Sequence, residues 1–386
     1  MGERPPAVLL GGGPIAVPVA RSLARAQVFV HALGFVLDPV RASRACGQFV
    51  DLGAGAGVQQ RWLDFLDGRN AAGAVILPCN DDGLELVASH RATLTERGYR
   101  PIAANDEVVL ALLDKLRTYE LAEAAGVRSP RRALVRPRDD IGVVGTGFGF
   151  PIALKPRHSH LFARHFGLRQ KAFVVDDMAE LVAAHERMSS LELDVLAMEI
   201  VPGPDHNHHS YYTYVDGGQP LFDLTKHKLR QFPPRFGLTT YHVVDRDERT
   251  IELGRRFVTM VGVRGLACVE FKEDVRDREL TLIECNSRFT AGHEIVRHAG
   301  IDLGLLAYNR VVGLPDPPLA RYRTGVRMWH PIEDVRGFLS YRRRGELTGR
   351  SWRRSLVHLQ HFPLFSWKDP FPTFLSLSRF LVGWLI

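Results

Sequence analysis

The chain reads as an α/β protein, with an open parallel sheet over about its first hundred residues and mixed α+β segments beyond. Three observations predict this. Short apolar runs alternate with helix-like runs at the start, the pattern of parallel strands joined by crossover helices. From Asn105 the character changes to two capped helices followed by well-spaced strands. Finally, Gly265 to Phe289 holds two strands around a charged connection, with acidic residues placed in step.

A length of 386 residues supports two or three subdomains with ample cores. Hydrophobic content of 45% and charged content of 24% are those of a soluble globular protein. No run approaches the roughly 18 apolar residues that a membrane span needs. The four cysteines (Cys46, Cys79, Cys268, Cys285) form no CxxC pair, so neither a zinc site nor a disulfide framework is indicated, and the cytoplasm is the expected location. The opening MGERPPAVLLGGGP lacks a basic leader and is expected to be a strand and turn, not a signal peptide. A formal charge of +7 favours anionic partners such as nucleotides, phosphates or acidic lipids. Nucleic acid is not expected, because no recognition motif accompanies the charge.

In order, Ala7 to Leu10 is a strand, Gly11 to Pro14 a turn and Ile15 to Ala26 a helix. Gly11, Gly13 and Ala16 fit the relaxed Gly-x-Gly-x-x-Gly/Ala pattern, which lets a ligand approach a helix N-terminus. That pattern alone permits a nicotinamide oxidoreductase. The next strand, Val28 to Leu33, lacks the terminal acid that would hold a ribose, and Asp38 falls in a loop. Gly73 to Pro78 is a buried strand, followed by Cys79-Asn80-Asp81-Asp82 and a helix from Gly83 to Arg97.

Asn105 caps a helix from Asp106 to Leu113, and Lys115 stands before a second, Leu116 to Ala125. Ile152 to Lys155 is a strand, and Asp176 to Met188 an amphipathic helix. Val195 to Val201 is an apolar strand with one acid, Glu199, which in that setting demands a polar partner. It stops at Pro202-Gly203-Pro204-Asp205. Tyr211 to Val215 and Pro220 to Thr225 read as a hairpin across Asp216-Gly217-Gly218. It delivers Lys226, Lys228 and Arg230, whose alternation predicts one common side. The nearby His206, His208 and His209 read as mainly structural.

After a helix from Arg249 to Val261 comes the charged hairpin, Leu266 to Lys272 with Glu279 to Cys285. It brings Glu270 and Glu284 side by side, with Asn286 just beyond. Alternation places Leu280, Leu282 and Glu284 on one face. Two carboxylates and an amide oxygen are hard ligands suited to Mg²⁺, which keeps waters and substrate phosphates in its other positions. The planar fork of Arg288 suits a phosphate or a developing oxyanion. A helix from Ile301 to Val312 and the linker Pro315 to Pro318 lead to a basic tail with an apolar end. That end is expected to dock on the body, with contact to an acidic membrane surface as the second reading.

Taken singly, each lysine is an ordinary solvated side chain and each Glu beside an Arg an ordinary surface pair. The ordered set is more specific. Lys115, Lys155, Glu199 to Asp205, Lys228 with Arg230, Glu270 and Glu284-x-Asn286-x-Arg288 resemble the ATP-grasp superfamily over roughly residues 1 to 315. The stretches KLRQFPPRFG and SWKDPFP resemble its carboxylate–amine ligase branch, which includes D-aspartate ligase.

The resemblance implies a pre-ATP-grasp α/β domain over 1–105 and an ATP-grasp domain over 106–315, with a small lobe at about 130–200. The two lobes would clasp ATP, and 316–386 would pack on the body. It implies that Glu270, Glu284 and Asn286 hold Mg²⁺, with Mn²⁺ as a substitute, and that Lys115 and Lys155 cradle the α- and β-phosphates. Ile200 and Val201 would read the adenine edge, Glu199 would face base or ribose, and Asp205 would take a ribose hydroxyl. Arg288 with Lys228 or Arg230 would neutralise the transferring group. The implied reaction joins a small-molecule carboxylate to an amine through an acyl phosphate, with homodimerisation left open. A non-catalytic ATP-binding protein is the remaining alternative. One departure stands out: in place of a glycine-rich phosphate loop after Lys155 the chain reads RHSHLFARHF, a basic loop whose Arg157, His158 or Arg164 would stand in. That loop and His293 are the candidates to face an acidic substrate.

Overall fold

The computed structural model describes residues 4–68, 71–136, 141–167, 170–319 and 321–382. Three sheets organise it. The first is a five-stranded parallel sheet whose strands lie in the order Gln48–Asp51, Val30–Gly34, Ala7–Leu10, Val75–Pro78 and Arg100–Pro101. Its central strands are apolar on both faces, as a sheet covered by helices requires, and Ala7 to Leu10 are fully buried. The turn at Gly11, with φ of +96°, brings the backbone against Asn80, where a Cβ would have no room. This core is not closed by the first hundred residues alone: Leu303, Leu306 and Tyr308 from the helix Leu303–Val312 complete it.

The second sheet is four-stranded and antiparallel, in the order Arg132–Val135, Val195–Glu199, Ile152–Pro156 and Phe173–Val175. The third has eight strands, running from Leu280–Asn286 through Gly265–Glu273, His208–Asp216, Leu224–Phe232 and Leu238–Asp245 to Arg327–Trp329 and Gln360–His361, with Gln219–Pro220 paired to His208–Asp216. The last two path members come from the tail, which therefore extends the sheet as well as packing against it. The terminal helix Phe371–Val382 sits against the turn Pro39–Ala42, with the Arg44 guanidinium 5.7 Å from the Phe371 ring centroid. The expected end of that helix, 383–386, lies outside the described residues.

Two expectations change here. The segment after Lys155 is a helix, Ser159–Phe166, and not a loop. Phe162 and Phe166, four apart on one face, pack with tilted rings 4.4 Å apart and hold it to the small sheet. The basic strand is longer than expected and carries a bulge. Lys228 pairs with His242 and Arg230 with Tyr241, so the register slips by one between them. A one-residue slip reverses the side a chain presents. Lys228 and Arg230 therefore do not share a face.

Candidate active site

The charged hairpin pairs Glu270 directly with Glu284 and Cys268 with Asn286. A bulge falls here too, because Phe271 pairs with Leu282 while Glu270 pairs with Glu284. Simple alternation put Leu282 and Glu284 on one face. The extra residue, Ile283, lets Leu282 enter the core beside Phe271 while Glu284 returns to the side of Glu270. The cross-strand row continues from Glu270 to Ser210 and Lys226.

Both carboxylates lack an ion-pair partner among the described residues. Burial alone would raise the Glu284 carboxyl, but Lys115, Lys171, Asn286 and Arg288 together hold it below the usual range. The Asn286 side-chain amide donates to Glu284 Oε1 at 2.6 Å. Two unpaired acids and an amide, directed to one side of a hairpin, fit a hard divalent cation that also takes water and phosphate oxygens. No group of three or more His, Cys, Asp or Glu with metal-ligand geometry occurs among the described residues, so a softer all-protein metal cage is not offered there.

Lysines converge on these acids from three elements. Lys155 ends the small-lobe strand Ile152–Pro156. Lys115 opens the helix Lys115–Ala124, and its backbone N–H donates to the Arg157 carbonyl at 3.0 Å, which draws the two lysines together. Its ammonium donates to Ser159 Oγ. Lys228 comes from the large sheet and donates to Gln231 Oε1 at 2.7 Å. Burial, then repulsion from Lys115, pushes the Lys155 ammonium down to about 8 against the attraction of Glu284 and Glu270. Burial, with Lys226 and Lys272 nearby, does the same to Lys228, also about 8, against the pull of Glu270 and Asp205. Crowded ammonium groups whose charged form is disfavoured by burial are groups short of an anion.

Arg288 is buried and its Nε donates to Asp81, while Nη1 donates to the Phe289 carbonyl at 2.9 Å. Asp81 opens the helix Asp81–Glu96 of the N-terminal sheet, so this domain reaches into the site. A cleft there is lined by Asp81, Lys115, Tyr119, Ser159, Glu284 and Asn286, among others. The helix Ser159–Phe166 closes over it through His160, whose Nε2 lies 3.3 Å from Glu85. That contact, then the Gln59 amide, holds the Glu85 carboxyl at about 2 despite its partial burial.

Other expected site residues lie elsewhere. Arg230 is paired with buried Asp334 at 2.7 and 2.8 Å and donates to Ser355 Oγ, so its fork is fully committed to the tail. Asp205 is also committed: it accepts from Gln231 Nε2 at 2.9 Å, from the Arg235 backbone N–H and from the Tyr341 hydroxyl. A ribose hydroxyl would have to displace one of these. Arg157 is taken by Asp114 and Asp194, which removes it as a phosphate donor. The Arg164 side chain lies outside the described residues. His293 is buried with Nδ1 on the Thr290 carbonyl and is not among the residues that line the cleft. Glu199, at the end of its strand, is partly buried, with Arg276 4.0 Å away; Ile200 is half-buried and Val201 buried behind it.

Two residues of the site had no functional reading from sequence. Asp81 was visible only as one of two aspartates after a strand, and its partner is 207 positions away. His208 pairs with Lys272 and is held neutral by burial, then by Lys228, Lys272 and Lys155.

No family model matches the chain. It is 26% identical over 253 residues to D-aspartate ligase of Enterococcus faecium, covering 62% of this chain and 59% of that protein. It is 27% identical over 218 residues to D-alanine–D-alanine ligase of Stutzerimonas stutzeri, covering 54% and 65%. The chain thus spans about six-tenths of the length of these curated relatives. Among solved structures, N5-carboxyaminoimidazole synthase of Aspergillus clavatus with ADP superposes at a TM-score of 0.62 and 16% identity, over 85% of this chain and 82% of that one. The biotin carboxylase domain of Hydrogenobacter thermophilus 2-oxoglutarate carboxylase, a dimer with MgADP, gives 0.62 and 18%, over 83% and 73%. These relatives do not favour the nicotinamide reading of Gly11 to Ala16. The chain has the fold of the ATP-grasp proteins, and the curated relatives it resembles are D-aspartate and D-alanine–D-alanine ligases.

Proposed function

We propose that this protein is an ATP-dependent carboxylate–amine ligase that activates a small-molecule acid as its acyl phosphate. The observation that carries the reading is the directly paired Glu270 and Glu284 facing ammonium groups from three separate elements. Glu270, Glu284 and Asn286 would hold Mg²⁺, or Mn²⁺ in its place, and the cation would neutralise charge on the β- and γ-phosphates. Lys115 and Lys155 bind and orient the α- and β-phosphates as mobile point charges. Lys228 and Arg288 offer donors to the phosphoryl group in transfer, and no protein nucleophile is needed. The hinge after Glu199 receives the base through backbone groups of Ile200 and Val201. Helix Ser159–Phe166 excludes water from above, the part a glycine-rich loop plays elsewhere.

The test is ADP release with Mg²⁺ across amino acids, small peptides and sugar acids, each with and without an amine. Release that requires both an acid and an amine is the expected result. Failure to bind MgATP, seen calorimetrically, overturns the reading; tight binding with no ADP from any pair leaves the non-catalytic alternative. The Hydrogenobacter neighbour was solved as a dimer, so a homodimer is the assembly to look for by light scattering.

A further inference from the structure

The cleft beside the acid pair is lined by two carboxylates, and the proposed function uses only one of them. Glu284 belongs to the metal-facing pair, whereas Asp81 comes from the N-terminal sheet, at the start of the helix Asp81–Glu96. Its side chain is about four-fifths buried, and it accepts from Arg288 Nε. Asn80, and not Asp81, caps the helix, its Oδ1 accepting from the Gly83 N–H at 2.8 Å. Asp81 is therefore free of a capping duty. We propose that Asp81 is the subsite for the amine substrate: it takes the ammonium group as an ion pair and then accepts one of its protons. This rests on the ligase reading above.

The argument is one of charge conservation in a buried place. Arg288 and Asp81 neutralise each other in the cleft, and removing either partner from a buried pair is costly. A phosphoryl group arriving at Arg288 withdraws the guanidinium from Asp81. The carboxylate then needs a new cation, and a substrate ammonium supplies one in the same cleft. The exchange also changes basicity. Arg288, then Lys115 and His160, hold the Asp81 carboxyl below its ordinary value against the effect of burial. Losing the Arg288 partner restores its appetite for a proton at the moment the amine must shed one.

The step balances. The ammonium nitrogen gives one proton to Asp81 and its freed electron pair forms the bond to the acyl carbon. The C–O bond to phosphate breaks, with the electron pair leaving on the phosphate. The second nitrogen proton passes to that phosphate, giving hydrogen phosphate and a neutral amide. Asp81 returns its proton to solvent when product leaves.

The test separates the two half-reactions, using the acid found by ADP release. Hydroxylamine, a nucleophile that is neutral at pH 7.5, traps the acyl phosphate as a hydroxamate without needing Asp81. Alaninamide or the cognate amine needs it. Asp81→Asn is expected to lower the ratio of amide to hydroxamate formed by a hundredfold or more, whatever it costs hydroxamate formation through Arg288, and to show a raised KM for the amine. Asp81→Glu, which keeps the carboxylate, is expected to recover part of the amide activity, and circular dichroism confirms that both variants are folded. Parallel loss of hydroxamate and amide would show that Asp81 only positions Arg288, and would overturn the subsite. So would unaltered amide formation. No hydroxamate from the wild type with any acid would instead overturn the ligase reading, and the subsite with it.

Discussion

Two buried polar regions of this molecule look alike by composition and behave oppositely. In the first, between the large sheet and the tail, Asp334 accepts from Arg230, Thr240, Trp329 and Trp352, all between 2.7 and 2.9 Å. Tyr341 and Asp205 continue the network. Every strong charge there has an opposite charge or several donors. In the second, the cleft, three lysines and two glutamates approach one another without closing into ion pairs among the described residues. Arg230 and Lys228 are two positions apart in sequence and belong to different regions. Satisfied burial holds the fold together, and incomplete satisfaction marks a place that waits for charge from outside.

The largest expected effect tests the first region. Asp334→Ala leaves the Arg230 guanidinium buried without its anion, which should cost about 3–5 kcal/mol. Chemical denaturation would read this as a lower midpoint at unchanged slope, and an unchanged midpoint would show that the network is dispensable. The next tests the second region. Glu284→Gln keeps shape and removes the charge, so ADP release should fall by about 10²–10³, the scale of losing one electrostatic element of a phosphoryl-transfer site. Its melting temperature should stay within a few degrees of wild type, in contrast to Asp334→Ala.

A third experiment sets stability against function at one residue. Lys155 is pushed down to about 8 from the ordinary lysine value of 10.5, mainly by burial. Between those values the unfolded chain holds more protons than the native one, so this group makes the empty protein more stable as pH rises through that window. Below about pH 8 the strain of the buried ammonium is fully present. Lys155→Met should therefore raise the melting temperature of the empty protein at pH 7 while weakening nucleotide binding. In the wild type, nucleotide binding should take up protons near pH 8, and its affinity should fall as pH rises above that. Calorimetry in buffers of different ionisation heat would show it. The smallest expected effect returns to the first region: Trp352→Phe removes one donor to Asp334 and should cost about 1 kcal/mol.

Much of this contrast was legible from residues. The hairpin carrying Glu270 and Glu284 announced itself through two apolar runs, a charged turn and acids in step. The parallel sheet did so through short apolar strands between helical runs. What escaped has a common physical origin. Bulges at Ile283 and between Lys228 and Arg230 add a single residue and leave no mark in composition, yet each reverses a face. Asp81 and Asp205 take their meaning from partners that only the fold brings near. The strands Arg327–Trp329 and Gln360–His361 are too short to show a period. For the helix Ser159–Phe166 a signal did exist, in the spacing of Phe162 and Phe166, but it was outweighed by the expectation of a phosphate loop.

One contact at the far end of the chain bears on how the protein is made. Asp369 accepts from Arg21 Nε at 2.8 Å, from Ser43 Oγ at 2.6 Å and from the Arg44 N–H at 3.0 Å, all within the N-terminal unit. Arg21 is almost fully enclosed in the folded chain, and a nascent polypeptide that has emerged only through its first sheet lacks the carboxylate that pairs with it there. That carboxylate arrives only once synthesis has reached residue 369, 348 positions after Arg21. A segment made more than three hundred residues later thus acts as a fastener for the earliest elements.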